Sequence, residues 1–268
     1  MLSWLSGIGL GLFTASIGYL AGYSGEILHF YLALSLAMTC TPPALYYTFT
    51  SRRMRAIDDG LPRILDDIVG SWESGLTLLE ALEEVSKRRY GPLTKELRKT
   101  VAQISWGVPF EKAMESFAKR AGTELAVRVM MLIAEAARMG GDIKGVFKST
   151  STFVKKVLEL RKEREAQLRP FIIVTYVTVA VFIVVMLILY YGFFLPLASP
   201  TGEVRFLKIP LSLEEYKLLI FDMGVIEAFF GGLLAGKLSE GKIIAGFKHV
   251  VVLILTTATI LGLTMLLA

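Results

Sequence analysis

Charged side chains vanish from this chain for long stretches and return in a dense middle block. Leu2–Tyr23 carries none, and Ile27–Phe49 none apart from the usually neutral His29. Phe171–Leu197, Leu218–Ala235 and Ile243–Leu267 are three further apolar runs. A spanning helix needs about 20 predominantly apolar residues, so the pattern predicts five spans. The short Tyr23-Ser24-Gly25-Glu26 turn makes a hairpin of the first two, and Pro170 opens the third. A signal peptide is the rival reading of the first run. It lacks a basic start, and a second apolar run follows directly.

The middle block has a different period. Apolar residues recur at three and four, without sustained alternation, which argues helices throughout. Pro62 follows Asp58-Asp59-Gly60 at a position expected to open a helix, whose stripe is Ile64, Leu65, Ile68, Val69 and Trp72. Thr77 with Glu80 has capping-box spacing. Tyr90-Gly91-Pro92 and Trp106-Gly107-Val108-Pro109 are breaks, Gly140-Gly141 is a stop, and Asp142 caps a last helix reaching Arg169. The prediction is an all-α membrane protein. A hairpin occupies 1–50, a six-helix bundle 51–169 is inserted between spans two and three, and 170–268 holds about three more spans.

Charge orients this arrangement. Lys and Arg number 29 in all, 23 of them between Thr50 and Pro170, and Asp and Glu number 24, 17 of them there. Basic residues beside span ends mark the cytoplasmic side. Arg52, Arg53 and Arg55 follow span two, while Arg161, Lys162 and Arg164 precede span three, so these six are candidate partner contacts at the inner face. The bundle is then cytoplasmic, the N-terminus inside and the C-terminus outside. A net charge of +5 does not argue for nucleic acid, because acids interleave with bases at helical spacing.

Chemistry is sparse. Cys40 is the single cysteine and two His are present, a poor basis for zinc. No glycine-rich turn ends in Gly-Lys-Ser/Thr, so ATP hydrolysis is not expected. Asp66-Asp67, Glu73 and Glu83-Glu84 read as a solvated helix face rather than paired catalytic acids. No catalytic residue, cofactor or metal is assigned. Glu227 stands out as a carboxyl well inside span four, where such a group is expensive and faces protein, water or a partner charge. Lys248 and His249 are its possible partners, and Asp222 lies nearer the outer edge. Gly18-x-x-x-Gly22 and Gly232-x-x-x-Gly236 permit close helix approach.

Three stretches together resemble the F-domain of type II secretion and type IV pilus platform proteins. They are Leu61-Pro62-Arg63-Ile64-Leu65 through Ser74-Gly75-Leu76-Thr77-Leu78-Leu79-Glu80-Ala81-Leu82; Tyr90-Gly91-Pro92-Leu93 through Trp106-Gly107-Val108-Pro109-Phe110 and Ala113; and Ile133-Ala134-Glu135-Ala136 through Gly140-Gly141-Asp142-Ile143. Pro62, Gly75, Gly91, Pro92, Gly107, Pro109, Gly140 and Gly141 carry the motif, over about 57 to 170. Two spans before and several after are similar to archaellum, archaeal pilus and tight-adherence pilus platforms. The resemblance implies a non-enzymatic scaffold in the cell membrane, between a hexameric cytoplasmic assembly ATPase and pilin-like subunits. Many such platforms carry two F-domains and one is found here, which implies a second copy or a paralogous subunit. A transporter or channel component with Glu227 on an ion path is the alternative. An intramembrane protease is a third reading, which would need paired aspartates or a Ser/Lys pair in the spans.

Overall fold

A computed structural model describes residues 2–20, 25–140, 142–198 and 212–267. They are helical and contain no strand. The helices are α1 (Leu2–Leu20), α2 (Glu26–Glu73), α3 (Leu78–Ser86), α4 (Leu93–Ser105), α5 (Phe110–Ala121), α6 (Glu124–Arg138) and α7 (Ile143–Leu189). A π-helical turn, Tyr190–Phe194, leads to a short α8 (Leu195–Ala198). After it come α9 (Leu213–Glu240), a 3-10 turn at Ile243–Gly246 and α10 (Phe247–Leu267). The loop 199–211, the first turn at 21–24 with Gly22, and Gly141 lie outside the described residues.

The chain divides into two compact units. One is Phe49–Arg164, and the other combines Met1–Thr48 with Glu165–Ala268. The Phe49–Arg164 unit is built as a water-soluble bundle. Its core includes Leu61, Ile64, Leu65 and Ile68 of α2, Leu82 and Val85 of α3, and Leu93 of α4. Phe117 of α5, Ile133 of α6, and Phe147 and Val154 of α7 complete it. These side chains recur at three and four on each helix, so each contributes one apolar stripe. Thr77 and Glu80 form the capping box that opens α3, and Asp142 Oδ1 accepts from Gly145 N at 3.0 Å to open α7.

The other unit is built from smaller residues. Ala33, Ala37 and Cys40 of α2, Val179 and Ile183 of α7, Ala228 of α9, and Val250 and Ile254 of α10 are at its core. Helix backbones meet directly there. A Cβ on Gly236 would collide with the backbone of Gly246, and one on Gly232 would lie 2.5 Å from the Val250 backbone. Between α1 and α2, Gly7 faces the Thr39 carbonyl and Ser35 Oγ donates to Gly11 O at 2.7 Å. Pro43 explains why that carbonyl is available: its missing N–H would otherwise be the carbonyl's helical partner.

Two expectations are corrected. Pro62 does not open a helix, and α2 runs through Asp58-Asp59-Gly60 and Pro62 without a break. Proline removes one i→i−4 bond but spares the others. The stripe Ile57, Leu61, Ile64, Leu65, Ile68 buries one continuous face across the site. The last bundle helix does run on into the third apolar run, but Pro170 does not interrupt it, because α7 continues from Ile143 to Leu189 with Pro170 inside it. Four helices are long and apolar enough to cross a membrane: Ile27–Glu73, Ile143–Phe194, Glu214–Glu240 and Ile243–Thr264. The expected fifth falls on α1, whose searched apolar stretch, Leu5–Gly18, is shorter than that length.

Candidate functional site

In the Phe49–Arg164 unit, the C-terminal part of α2 and the N-terminal part of α7 run antiparallel, joined by a ladder of polar contacts. Glu73 pairs with Lys148 at 3.6 Å, Asp66 with Lys155 at 2.6 Å, and Asp58 with Arg161 at 2.8 Å. Ser151 also donates to Asp66. Successive rungs are six to eight residues apart on each helix, about two turns, which keeps them on one seam. The uppermost rung is the most enclosed. Asp58 is 9% exposed and its Oδ1 has no hydrogen-bond partner. Pro62 lies four residues on and offers the Asp58 carbonyl no N–H.

Beside the ladder an open groove of about 790 Å³ is lined by Asp59, Pro62, Arg63 and Asp66 of α2 and by Lys155, Leu158, Glu159, Lys162 and Glu163 of α7. Its charges are mixed, so it has no single-sign field to select an anion. Arg52, Arg53 and Arg55 on α2 and Arg161, Lys162 and Arg164 on α7 are all exposed. The antiparallel register places the two sets at the same end of the helix pair. Arg161 is committed to Asp58.

Of the acids read as a solvated face, Asp66, Glu73 and Glu83 are exposed, and several carry partners there. Beyond Asp66 and Glu73, Asp67 pairs with Arg88 at 2.9 Å and accepts from the Tyr90 hydroxyl, while Glu84 pairs with Lys87. Burial, then the adjacent Asp67 carboxylate, pushes the Tyr90 hydroxyl above the ordinary tyrosine range. Thr77's backbone N–H and hydroxyl hold Glu80 below the usual carboxylate range. The sequence holds a matching spacing, with acids at 66 and 73 seven apart and bases at 148 and 155 likewise, but the spacing alone does not pair them. A single-helix reading does not align them.

Apart from Pro62, which lies inside α2, the described motif residues sit at turns and helix ends. Gly75, Gly91, Gly107 and Gly140 have φ of +98°, +61°, +86° and +69°. Pro92 and Pro109 precede α4 and α5. After α4, Gly107 N donates to Ile104 O at 2.9 Å and Val108 N to Gln103 O at 3.0 Å, which is the Schellman arrangement. Trp106 is the residue held at that corner, and it is 88% exposed. Sequence reading treated it only as part of a break.

In the other unit, Asp222 is bound by His29, with Nδ1 2.8 Å from Oδ1. Lys248 pairs with Glu240 at 2.6 Å, and His249 Nδ1 lies 2.9 Å from the Tyr176 hydroxyl. The two residues offered as partners for Glu227 are thus engaged elsewhere. Glu227 is half-buried and makes no hydrogen bond or ion pair among the described residues. None of these pairs was anticipated, because each joins helices 73 or more residues apart in sequence or crosses the α9–α10 turn.

Among known proteins, residues 64–190 match the family model of type II secretion system (T2SS), protein F. The match begins within α2 just after Pro62, covers the bundle from Ile64 onward and extends through the apolar half of α7, beyond the last motif residues. An uncharacterized protein of Methanocaldococcus jannaschii is 28% identical over 194 residues, which is 72% of this chain. The chain spans 31% of that relative's length. No solved structure matches. From Ile64 to Tyr190, then, the chain is similar, in a single match, to protein F of the type II secretion system.

Proposed function

We propose that this protein is a platform subunit of a type IV filament or type II secretion assembly machine. It sits in the cell membrane with the Phe49–Arg164 unit in the cytoplasm. There it couples a separate hexameric assembly ATPase to the insertion or extraction of pilin-like subunits. The protein F match carries this reading, because it joins a soluble-type helical bundle to a membrane-length helix in one family domain. Distribution of basic residues supports the orientation. The proposed layout has five spans, with α1 as the first. One matched F domain supports assembly with a second copy or a paralogous subunit.

The test has three parts. Purified protein in detergent should hydrolyse no ATP, and it should retain an assembly ATPase encoded with it, through residues 51–169. Cysteine at Thr152, an exposed position on α7, should be protected from an impermeant thiol reagent in intact cells, while cysteine at Thr201 should react. Intrinsic ATP turnover, or the reverse labelling, overturns the reading.

A further inference from the structure

The α2–α7 pair changes its charge balance sharply at one end. Residues 57–163 hold 18 Lys and Arg against 16 Asp and Glu, and along the ladder each base meets an acid. Residues 50–56 and 164–170, which flank that stretch on the same two helices, hold five against one. Asp58–Arg161 is the last rung before the change. Arg55 and Arg164 each lie three residues past it, about 4.5 Å on, and Arg53 and Arg52 follow within another turn of α2. Arg52, Arg53 and Arg164 are exposed and make no hydrogen bond or ion pair among the described residues. The ladder thus ends in a group of like charges that the chain's own acids do not balance.

The neighbouring sequence points to the counter-charge. α2 leaves its apolar run at Phe49, three residues before Arg52, and α7 enters its own at Phe171, two residues after Arg169. Tyr46, Phe49 and Arg53 fall at i, i+3 and i+7 of α2, which is one face of the helix. Tyr46 and Phe49 are 63% and 68% exposed. Open aromatic rings followed within about a turn by arginine mark a helix passing from the acyl region into the headgroup layer. The anions at that level are lipid phosphates, and a guanidinium offers a phosphate two parallel N–H donors. An acidic protein would have to enter the headgroup layer to take the same donors.

We propose that Arg52, Arg53 and Arg164 form a binding surface for the phosphates of anionic lipid headgroups. Three of the six residues that the charge pattern offers as partner contacts then face lipid rather than protein. Of the others, Arg161 is held by Asp58 and Lys162 lines the groove. Basic clusters beside a span attract anionic lipid, and salt weakens the attraction. The inference requires that α2 and α7 span the membrane, and it stands with or without an ATPase on the bundle.

Photoreactive phosphatidylglycerol and phosphatidylcholine, with the reactive group at the same acyl position near the glycerol, test it in vesicles holding the full-length protein. At low salt, adducts mapping to residues 46–56 and 164–171 should favour phosphatidylglycerol by about fivefold, the worth of one such arginine contact. Raising the salt should bring the ratio toward one. Combined Arg52→Gln, Arg53→Gln and Arg164→Gln should do the same, while Lys at the three positions should keep most of the preference. Lys95→Gln, Lys112→Gln and Lys119→Gln on α4 and α5 remove as much charge and should leave the ratio unchanged. Equal labelling by the two lipids in wild type, a ratio indifferent to salt, or an equal loss in the Lys95, Lys112 and Lys119 variant would overturn the proposal. If inorganic phosphate removes the preference where chloride of equal ionic strength does not, the arginines serve a soluble phosphate instead. Adducts at these residues to an acidic protein, with no lipid preference, would assign them to a protein partner. The salt series reads wild type alone, so the test survives a variant that fails to fold. ATPase retention is measured separately, so this inference and the platform reading fail independently.

Discussion

The two units are held together by different forces although both are helical. In Phe49–Arg164 the helices interlock large side chains. Phe117, Phe147, Leu61 and Leu65 are at most 1% exposed, and ion pairs rim the seam between α2 and α7. In the other unit the backbones themselves touch at Gly232, Gly236 and Gly246, and polar side chains bond across helices. Water drives the first arrangement by expelling apolar surface. Lipid gives no such drive, so contact area between backbones and internal hydrogen bonds replace it. The sequence differs accordingly: bulk in one stripe per helix, against glycine and alanine where spans meet.

Substitutions should therefore have opposite sensitivities in the two units. Phe117→Ala should lower the stability of the bundle by about 3–5 kcal/mol, read from denaturant unfolding of the full-length protein, because it empties a fully enclosed site. Gly236→Val should disrupt the other unit by about 1–3 kcal/mol or more, since the added atoms meet the Gly246 backbone. Thermal melting in detergent should show it, with Phe117→Ala-type truncations in that unit having smaller effects. Equal sensitivity to truncation in both units would break the comparison.

Smaller effects fall on the ladder. Arg161→Ala leaves the enclosed Asp58 carboxylate without its cation. Breaking a fully buried pair costs several kcal/mol, but Arg161 is half exposed, so about 1–2 kcal/mol is expected. Tyr90 gives a pH signature. Its hydroxyl titrates higher in the fold than in the unfolded chain, so the neutral form is favoured by folding. That stability is fully present below the ordinary tyrosine value of about 10 and is lost as pH rises beyond it. Tyr90→Phe should flatten this alkaline loss, at a cost near 1 kcal/mol for the bond to Asp67. Lys155→Ala, at an exposed rung, should cost less than about 1 kcal/mol and less again in high salt.

Helix positions in the bundle were readable because each turn carries its own chemistry. Thr77 with Glu80, Gly91-Pro92, Gly107 with Pro109, and Asp142 each act within a few residues, so local sequence suffices. Pro62 and Pro170 misled for the complementary reason. Proline states a local penalty, whereas continuity of α2 and α7 depends on burial and length beyond that turn. Pairing was illegible for both charge sets. Asp58 meets Arg161 and His29 meets Asp222 only through tertiary register, which one chain without aligned relatives does not reveal. Glu227 was visible from its depth in an apolar run, and the structure adds that Lys248 and His249 do not serve it.

Trp106 gives the protein an optical property. The Schellman turn at Gly107 fixes the backbone that carries it, and the indole stands almost entirely in solvent. Trp72, by contrast, is partly enclosed, 6.5 Å edge-on from Phe147. The chain has three tryptophans in all. Acrylamide should quench the emission of Trp106 far more readily than that of Trp72, and with Trp72→Phe and Trp4→Phe the remaining signal reports one corner of the bundle. Any protein that covers the α4–α5 turn should shift that emission to the blue and shield it from quencher, without a label having been added.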